Sequence, residues 1–269
     1  MSSVPARQRN LIVPSVAPLY RVLAPYAYTL IRVATGAIFL PHGAQKLFFG
    51  GAAGATGYAL GLIELVCGLA LVLGLLVRPA ALLLIVDVAL VIAANIGKGW
   101  LWTRGGVQYH TFLLGMLLAV LVGGAGRYAL QRSIQDHLVP IGYALARVWF
   151  ALLILPSGYE KVFADGAARI AAGNVVKTGL YPPLFWAWWV ALLELFGMIL
   201  LALGFGTRIV ALMMTVELAF IVLTIQLPNG WFWTSRGAEF ATILFFVSLA
   251  FVVAGGGRYS LDRKLGREF

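Results

Sequence analysis

Long apolar runs divided by short polar breaks fill almost the whole chain. Eight runs can be drawn, at about 24–45, 57–77, 79–97, 107–124, 141–158, 184–204, 208–227 and 238–255. Each is close to the ~20 residues a helix needs to cross a hydrocarbon core of about 30 Å. No run alternates apolar and polar positions in the way a membrane barrel requires, which argues against an outer-membrane barrel. Arg78-Pro79 and Thr207-Arg208 leave very tight second and sixth turns, so those neighbours are expected to pack as antiparallel hairpins. The pattern predicts an all-α, polytopic integral membrane protein with eight transmembrane helices.

The runs come in two similar sets. Arg32 to Lys46 reads RVATGAIFLPHGAQK, and Arg147 to Lys161 reads RVWFALLILPSGYEK. Each places an arginine inside an apolar run and leaves by Pro-x-Gly-x-x-Lys. Glu64-Leu65 matches Glu194-Leu195, each glutamate followed fourteen residues later by an arginine, Arg78 or Arg208. Asp87 matches Glu217, and GWLWTRGGVQYHTF (99–112) matches GWFWTSRGAEFATI (230–243) without a gap. Both sets close on Gly-Arg-Tyr-x-Leu, at 126–130 and 257–261. The expected organisation is a polar N-terminal segment (1–23), a first four-helix repeat (24–132) and a second (133–269). The second carries an insertion at about 162–184, read as an external interfacial loop or short surface helix leading into the aromatic run 185–189. Four spans per repeat is an even number, so the repeats are parallel and lack the inverted symmetry of many carriers.

Composition agrees with the membrane reading. The chain is 61% apolar and only 11% charged over 269 residues, where a soluble domain carries about 25% charged residues. Residues 1–23 contain no continuous apolar core before a cleavage site and are read as a retained segment, not a signal peptide. A single cysteine, Cys67, excludes a CxxC relay, an iron–sulfur cluster and an internal disulfide. The +10 net charge does not point to nucleic acid, because the basic residues bracket the apolar runs. Eleven Lys/Arg lie on the side of the termini (Arg7, Arg9, Arg21, Arg78, Arg127, Arg132, Arg208, Arg258, Arg263, Lys264 and Arg267). Seven lie opposite (Lys46, Lys98, Arg104, Lys161, Arg169, Lys177 and Arg236). The bias favours an inner (cytoplasmic) membrane protein with both termini cytoplasmic.

An arginine early in span one, a Gly-x-x-Lys exit, a glutamate in span two, a Gly-rich arginine turn and a Gly-x-Gly-Arg-Tyr close together resemble the DoxX/DoxD family of four-helix membrane proteins. The ordered set occurs twice, as in a fused double copy. The resemblance implies membrane redox chemistry, since family members include the small subunit of thiosulfate:quinone oxidoreductase and subunits of terminal quinol oxidase complexes. On that footing the chain is expected to be a membrane subunit of a quinone-linked oxidoreductase, passing electrons from a small sulfur compound such as thiosulfate to membrane quinone. It would work with a periplasmic or membrane partner subunit. A non-catalytic scaffold or assembly subunit of a respiratory or redox complex is the alternative, and a lipid or small-solute transporter ranks third.

Ionisable groups inside hydrocarbon cost at least ~2.5 kcal/mol and must face partners. Depth counted along the predicted spans pairs Arg32 with Asp87 and Arg147 with Glu217, as clasps between spans one and three. A second layer near the opposite face collects His42, Lys46, Glu64 and His110, whose counterparts in the second copy are Ser157, Lys161, Glu194 and Ala241. His42, Lys46, Glu64 and His110 are the candidate catalytic residues: a Glu–His pair can take up a proton, and Lys46 or His110 can donate to a quinone carbonyl. Two histidines on separate helices can alternatively ligate a haem, which is not favoured, and no metal motif is present. Equally open is a structural reading in which the histidines are interfacial and Glu64 and Glu194 pair with Lys46 and Lys161. Trp102 and Arg104 in the outer three-to-four loop, with Gln108 at the start of span four, are the candidate cofactor-binding residues; the loop is either a lid that receives an anion or a headgroup-level anchor.

Overall fold

The computed structural model describes residues 10–11, 14–131 and 136–268; Arg7, Arg9 and Arg132, counted above for orientation, lie outside them. The helices in chain order are α1 (Ala17–Phe48), α2 (Gly54–Leu73), α3 (Val77–Lys98), α4 (Gln108–Gly123), α5 (Val139–Phe163), α6 (Pro183–Leu203), α7 (Thr207–Asn229) and α8 (Glu239–Ala254). Among the described residues, six are long and apolar enough to cross a membrane. The other two, α4 and α8, have sixteen residues each. A two-residue parallel strand pair, Asn10–Leu11 with Arg267–Glu268, ties the two ends of the chain together.

Each helix packs on the next, and α8 returns to α1, closing a ring. The two short helices, α4 and α8, are the most extensively buried, which accounts for an apolar character on all sides. Phe112 of α4 meets Phe150 of α5 and Phe240 of α8 edge-on, at ring separations of 6.0 and 5.7 Å, and Phe150 meets Phe251 at 5.6 Å. All four rings are buried. The outer helices turn apolar residues outward instead: Leu62, Val66 and Leu69 on α2, Leu82, Val86 and Leu90 on α3, and Ile209, Leu212 and Val216 on α7. Such a surface is stable only against lipid or another apolar partner. Glycines let α1 approach α2 closely: a Cβ on Gly36 would sit 2.7 Å from the Gly68 carbonyl oxygen, and one on Gly43 would sit 2.6 Å from the Leu65 nitrogen.

The end of the ring that carries the two Gly-x-Gly-Arg-Tyr closes, here the lower end, corrects the expected clasps. Arg32 does not meet Asp87. Its Nη1 donates to the Ala125 carbonyl and its Nη2 to the Tyr128 carbonyl at 2.7 Å. Arg147 likewise donates to the Tyr259 carbonyl at 2.6 Å, not to Glu217. The physical reason is depth. α1 begins well below the bundle, so Arg32 is level with the α2–α3 turn, where its guanidinium lies beside Gly74. Asp87 is about ten residues up α3, hence ~15 Å higher. Arg78 and Arg208 add donations to the last carbonyls of α4 (Leu121, Val122) and α8 (Val252, Val253). Cations there complement the negative helix ends. Tyr28 and Tyr143 complete the arrangement by donating to the Gly124 and Gly255 carbonyls.

The insertion expected as an external loop or short surface helix is helical, at Gly166–Ile170 and Ala171–Val175. It packs Ala167, Ala171 and Val175 onto Ala187 and Ala191 of α6. Trp188 and Trp189 remain exposed.

Candidate functional site

The upper end of the ring carries the two Trp-rich loops. In both loops the glycine that opens them takes a positive φ, 86° at Gly99 and 87° at Gly230. Both chains then fold back with matching backbone bonds, Gln108 N to the Trp100 carbonyl and Glu239 N to the Trp231 carbonyl, each 2.9 Å. The first residue of the following helix returns its side chain to the loop. Gln108 Oε1 accepts from Trp102 N at 3.4 Å, and Glu239 Oε2 accepts from Trp233 N at 2.9 Å. A carboxylate at the start of α8 also suits the positive end of the helix.

Glu239 is fully buried and is the hub of the site. Its Oε1 accepts from the Tyr109 hydroxyl at 2.5 Å and is hydrogen-bonded to His42 Nε2. The His42 ring meets Phe232 edge-on at 5.4 Å. His110, one residue beyond Tyr109, is buried against the Trp233 ring at 4.8 Å, within electrostatic reach of His42 and Glu239. Its Nδ1 has no hydrogen-bond partner among the described residues.

Deeper in the ring, Gly61 leaves room for the Lys46 stem, whose Cβ would be 2.7 Å from a Cβ on Gly61. Lys46 Nζ thereby reaches Glu64 Oε1 at 2.6 Å. Asp87 lies beside Glu64, within reach of the Lys46 and His42 charges. Glu239, His42, Lys46, Glu64 and Asp87 thus form a file of ionisable groups running from the upper end toward mid-height.

The opposite side of the ring repeats this geometry with fewer ionisable groups. Lys161 pairs with Glu194, and Glu217 lies beside Glu194. Gln108 occupies the place of Glu239, donating to Ser157 Oγ at 2.9 Å and to the Leu153 carbonyl at 3.2 Å. Phe240 stands where the first side has Tyr109, and Ala241 where it has His110.

The structure therefore brings His42, Lys46, Glu64 and His110 to one region. Trp102, Arg104 and Gln108 go to the other. Trp102 packs on Phe240 at 5.6 Å, and Arg104 forms an exposed 3.4 Å ion pair with Glu160. The Lys46–Glu64 and Lys161–Glu194 pairs of the structural reading are both present. Sequence reasoning missed Tyr109, Glu239, Trp233 and Phe232 as members of the His42 group. The available signal was Glu239 itself, an acid at the position where the first copy has Gln108. Among the described residues, no group of three or more His, Cys, Asp or Glu converges in the manner of a metal site.

A closed ring of apolar helices with an apolar exterior and a file of charges within defines a polytopic membrane protein. The chain belongs to the DoxX family, whose model matches residues 27–97 and 142–227. It is similar to Uncharacterized membrane protein Rv3486 of Mycobacterium tuberculosis (strain ATCC 25618 / H37Rv). The two are 29% identical over 154 residues, which span 48% of this chain and 94% of the relative. No solved structure matches the chain.

Proposed function

We propose that the protein is a membrane subunit of a quinone-linked redox system, with its proton-handling site built around Glu239. The observation that carries this reading is a buried carboxylate held by His42 and Tyr109 from one half of the chain, at the head of an inward file of Lys46, Glu64 and Asp87. Burying that many ionisable groups costs stability, which only pairing offsets, so their concentration in one place points to use. The second half keeps the fold with fewer of them.

Quinone fits these residues. The His110 Nδ1, without a hydrogen-bond partner among the described residues, can hydrogen-bond a carbonyl or hydroxyl oxygen, and the Trp233 ring lies beside it, as the Phe232 ring lies beside His42. A bound quinone supplies two-electron, two-proton chemistry. Around it, His110 would orient the ring oxygen, the His42–Glu239 pair would take up or deliver a proton, and Lys46 would hold Glu64 in place.

The same reading takes all eight helices as membrane-crossing, arranged as two parallel four-helix units with both termini cytoplasmic in the inner membrane. Support comes from the two family matches and from the relative whose near-whole length aligns with half of this chain. Electrons would come from a small sulfur compound such as thiosulfate through a partner subunit.

The test is quinone reduction with thiosulfate as donor, in membranes containing the chain, its Glu239→Gln variant or its Ser157→Ala variant. We expect stimulation by wild type and by Ser157→Ala, with loss in Glu239→Gln by about 100-fold or more. Equal rates with and without the chain would count against this function and favour a scaffold role.

A further inference from the structure

The lower end of the ring holds an open groove of about 730 Å³ between the start of α5, the end of α6 and the closing segment. One wall is apolar, from Ile141, Leu145, Val148 and Leu203. The other presents Arg147, Arg258 and Lys264, with no acidic residue in the lining. Arg147 is only 2% exposed, yet among the described residues its Nε and Nη1 have no hydrogen-bond partner. Asp262, the acid whose charge reaches Arg147, spends its two oxygens on Gly206 N at 2.7 Å and Thr207 N at 3.0 Å.

The first half shows what a closed version looks like. There Arg32 satisfies both Nη atoms on the Ala125 and Tyr128 carbonyls, and Tyr26 stacks on Tyr128 with ring centroids 4.3 Å apart. By the alignment of Arg32 with Arg147, the place of Tyr26 is taken by Ile141, which cannot make that stack. Ile141 lines the groove, beside the half-satisfied guanidinium. A buried cation with unmet donors is costly and favours an anion nearby.

We propose that this groove binds one anionic phospholipid. Its phosphate would sit between Arg258 and Lys264, in the field of the buried Arg147 guanidinium, and an acyl chain would lie along Ile141, Leu145 and Val148. Basic pockets between membrane helices suit such headgroups. The volume lies within the ~300–1,000 Å³ of small-molecule sites. An inorganic phosphate would use the cations but leave the apolar wall uncovered. The site is separate from the Glu239 cluster, at the opposite end of the ring.

The test is native mass spectrometry and thermal shift on purified, delipidated protein titrated with phosphatidylglycerol, phosphatidylcholine or inorganic phosphate. Phosphatidylglycerol should give one retained adduct per chain and a raised Tm, and phosphatidylcholine and phosphate should do neither at the same concentration. Arg258→Gln and Lys264→Gln should each weaken phosphatidylglycerol about fivefold. Ile141→Tyr, which restores the closed arrangement without removing a charge, should abolish the adduct while leaving the unliganded Tm within a few degrees of wild type. Equal retention of phosphatidylcholine, an equal shift with phosphate alone, or a lipid adduct surviving in folded Ile141→Tyr would overturn the proposal.

Discussion

His42 on α1 and Glu239 on α8 are 197 positions apart in the chain and share a part-buried hydrogen bond. The contact exists because α8 closes the ring onto α1. A site assigned from its sequence neighbours to the first half is therefore completed by the second. Removing one partner of a hydrogen bond to a buried polar group costs about 1–3 kcal/mol, because the remaining group is left unsatisfied. His42→Gln and Glu239→Gln should each lower the Tm in detergent, and the double variant should lose less than the sum, with a coupling of about 1–3 kcal/mol. Strictly additive losses would show that the two residues do not interact.

Lys46 neutralises a pair of neighbouring acids, Glu64 and Asp87. Lys46→Met should therefore destabilise the protein by about 3 kcal/mol. Adding Glu64→Gln should recover much of the loss by removing one of the stranded acids. Tm measurements on the three variants check this; no recovery in the double variant would mean that the lysine acts through packing alone.

The lower-end arginines give a sharper contrast. Since Arg32 binds two backbone carbonyls, Arg32→Lys should not substitute for it, as an ammonium lacks the planar fork. The charge swap Arg32→Asp with Asp87→Arg should express no better than Arg32→Asp alone. Rescue by the swap, read by membrane-fraction yield, would restore the span-one to span-three clasp expected from sequence.

Helix approach can be tested with single methyl groups. Gly43→Ala and Gly158→Ala would place a Cβ 2.6 Å from Leu65 N and 2.5 Å from the Glu194 carbonyl carbon. Each should cost about 1–3 kcal/mol as α1 or α5 is pushed off its neighbour. Gly173→Ala meets nothing within 4 Å and should be silent. The readout is again the Tm.

These cases also show how much of the molecule was legible in its sequence. Six helices were legible because hydrocarbon demands continuous apolar runs of about 20 residues; α4 and α8 also fall on predicted runs but stop at sixteen residues. The Lys46–Glu64 pair was legible because a glycine-flanked lysine leaving one helix meets the helix that follows it directly. The partner of His42 was not, because no local pattern encodes which helix closes the ring. The Arg32 assignment failed for a different reason. Depth was counted from the start of the apolar run, whereas α1 extends below the bundle and brings Arg32 to the turn level. Carbonyl acceptors at the Gly-rich close carry no signal in side-chain identity, so the true partners of Arg32 could not be read from residue types.

Quinone binding at the His42, Tyr109, His110 and Glu239 cluster is the step on which the proposed function stands. It is read by solvent extraction of the purified protein, followed by quinone titration through tryptophan fluorescence. We expect about one quinone per chain in wild type, with markedly weaker binding in His110→Phe and unchanged binding in Ser157→Ala. Protein that extracts quinone-free and shows no saturable quenching on titration would contradict it.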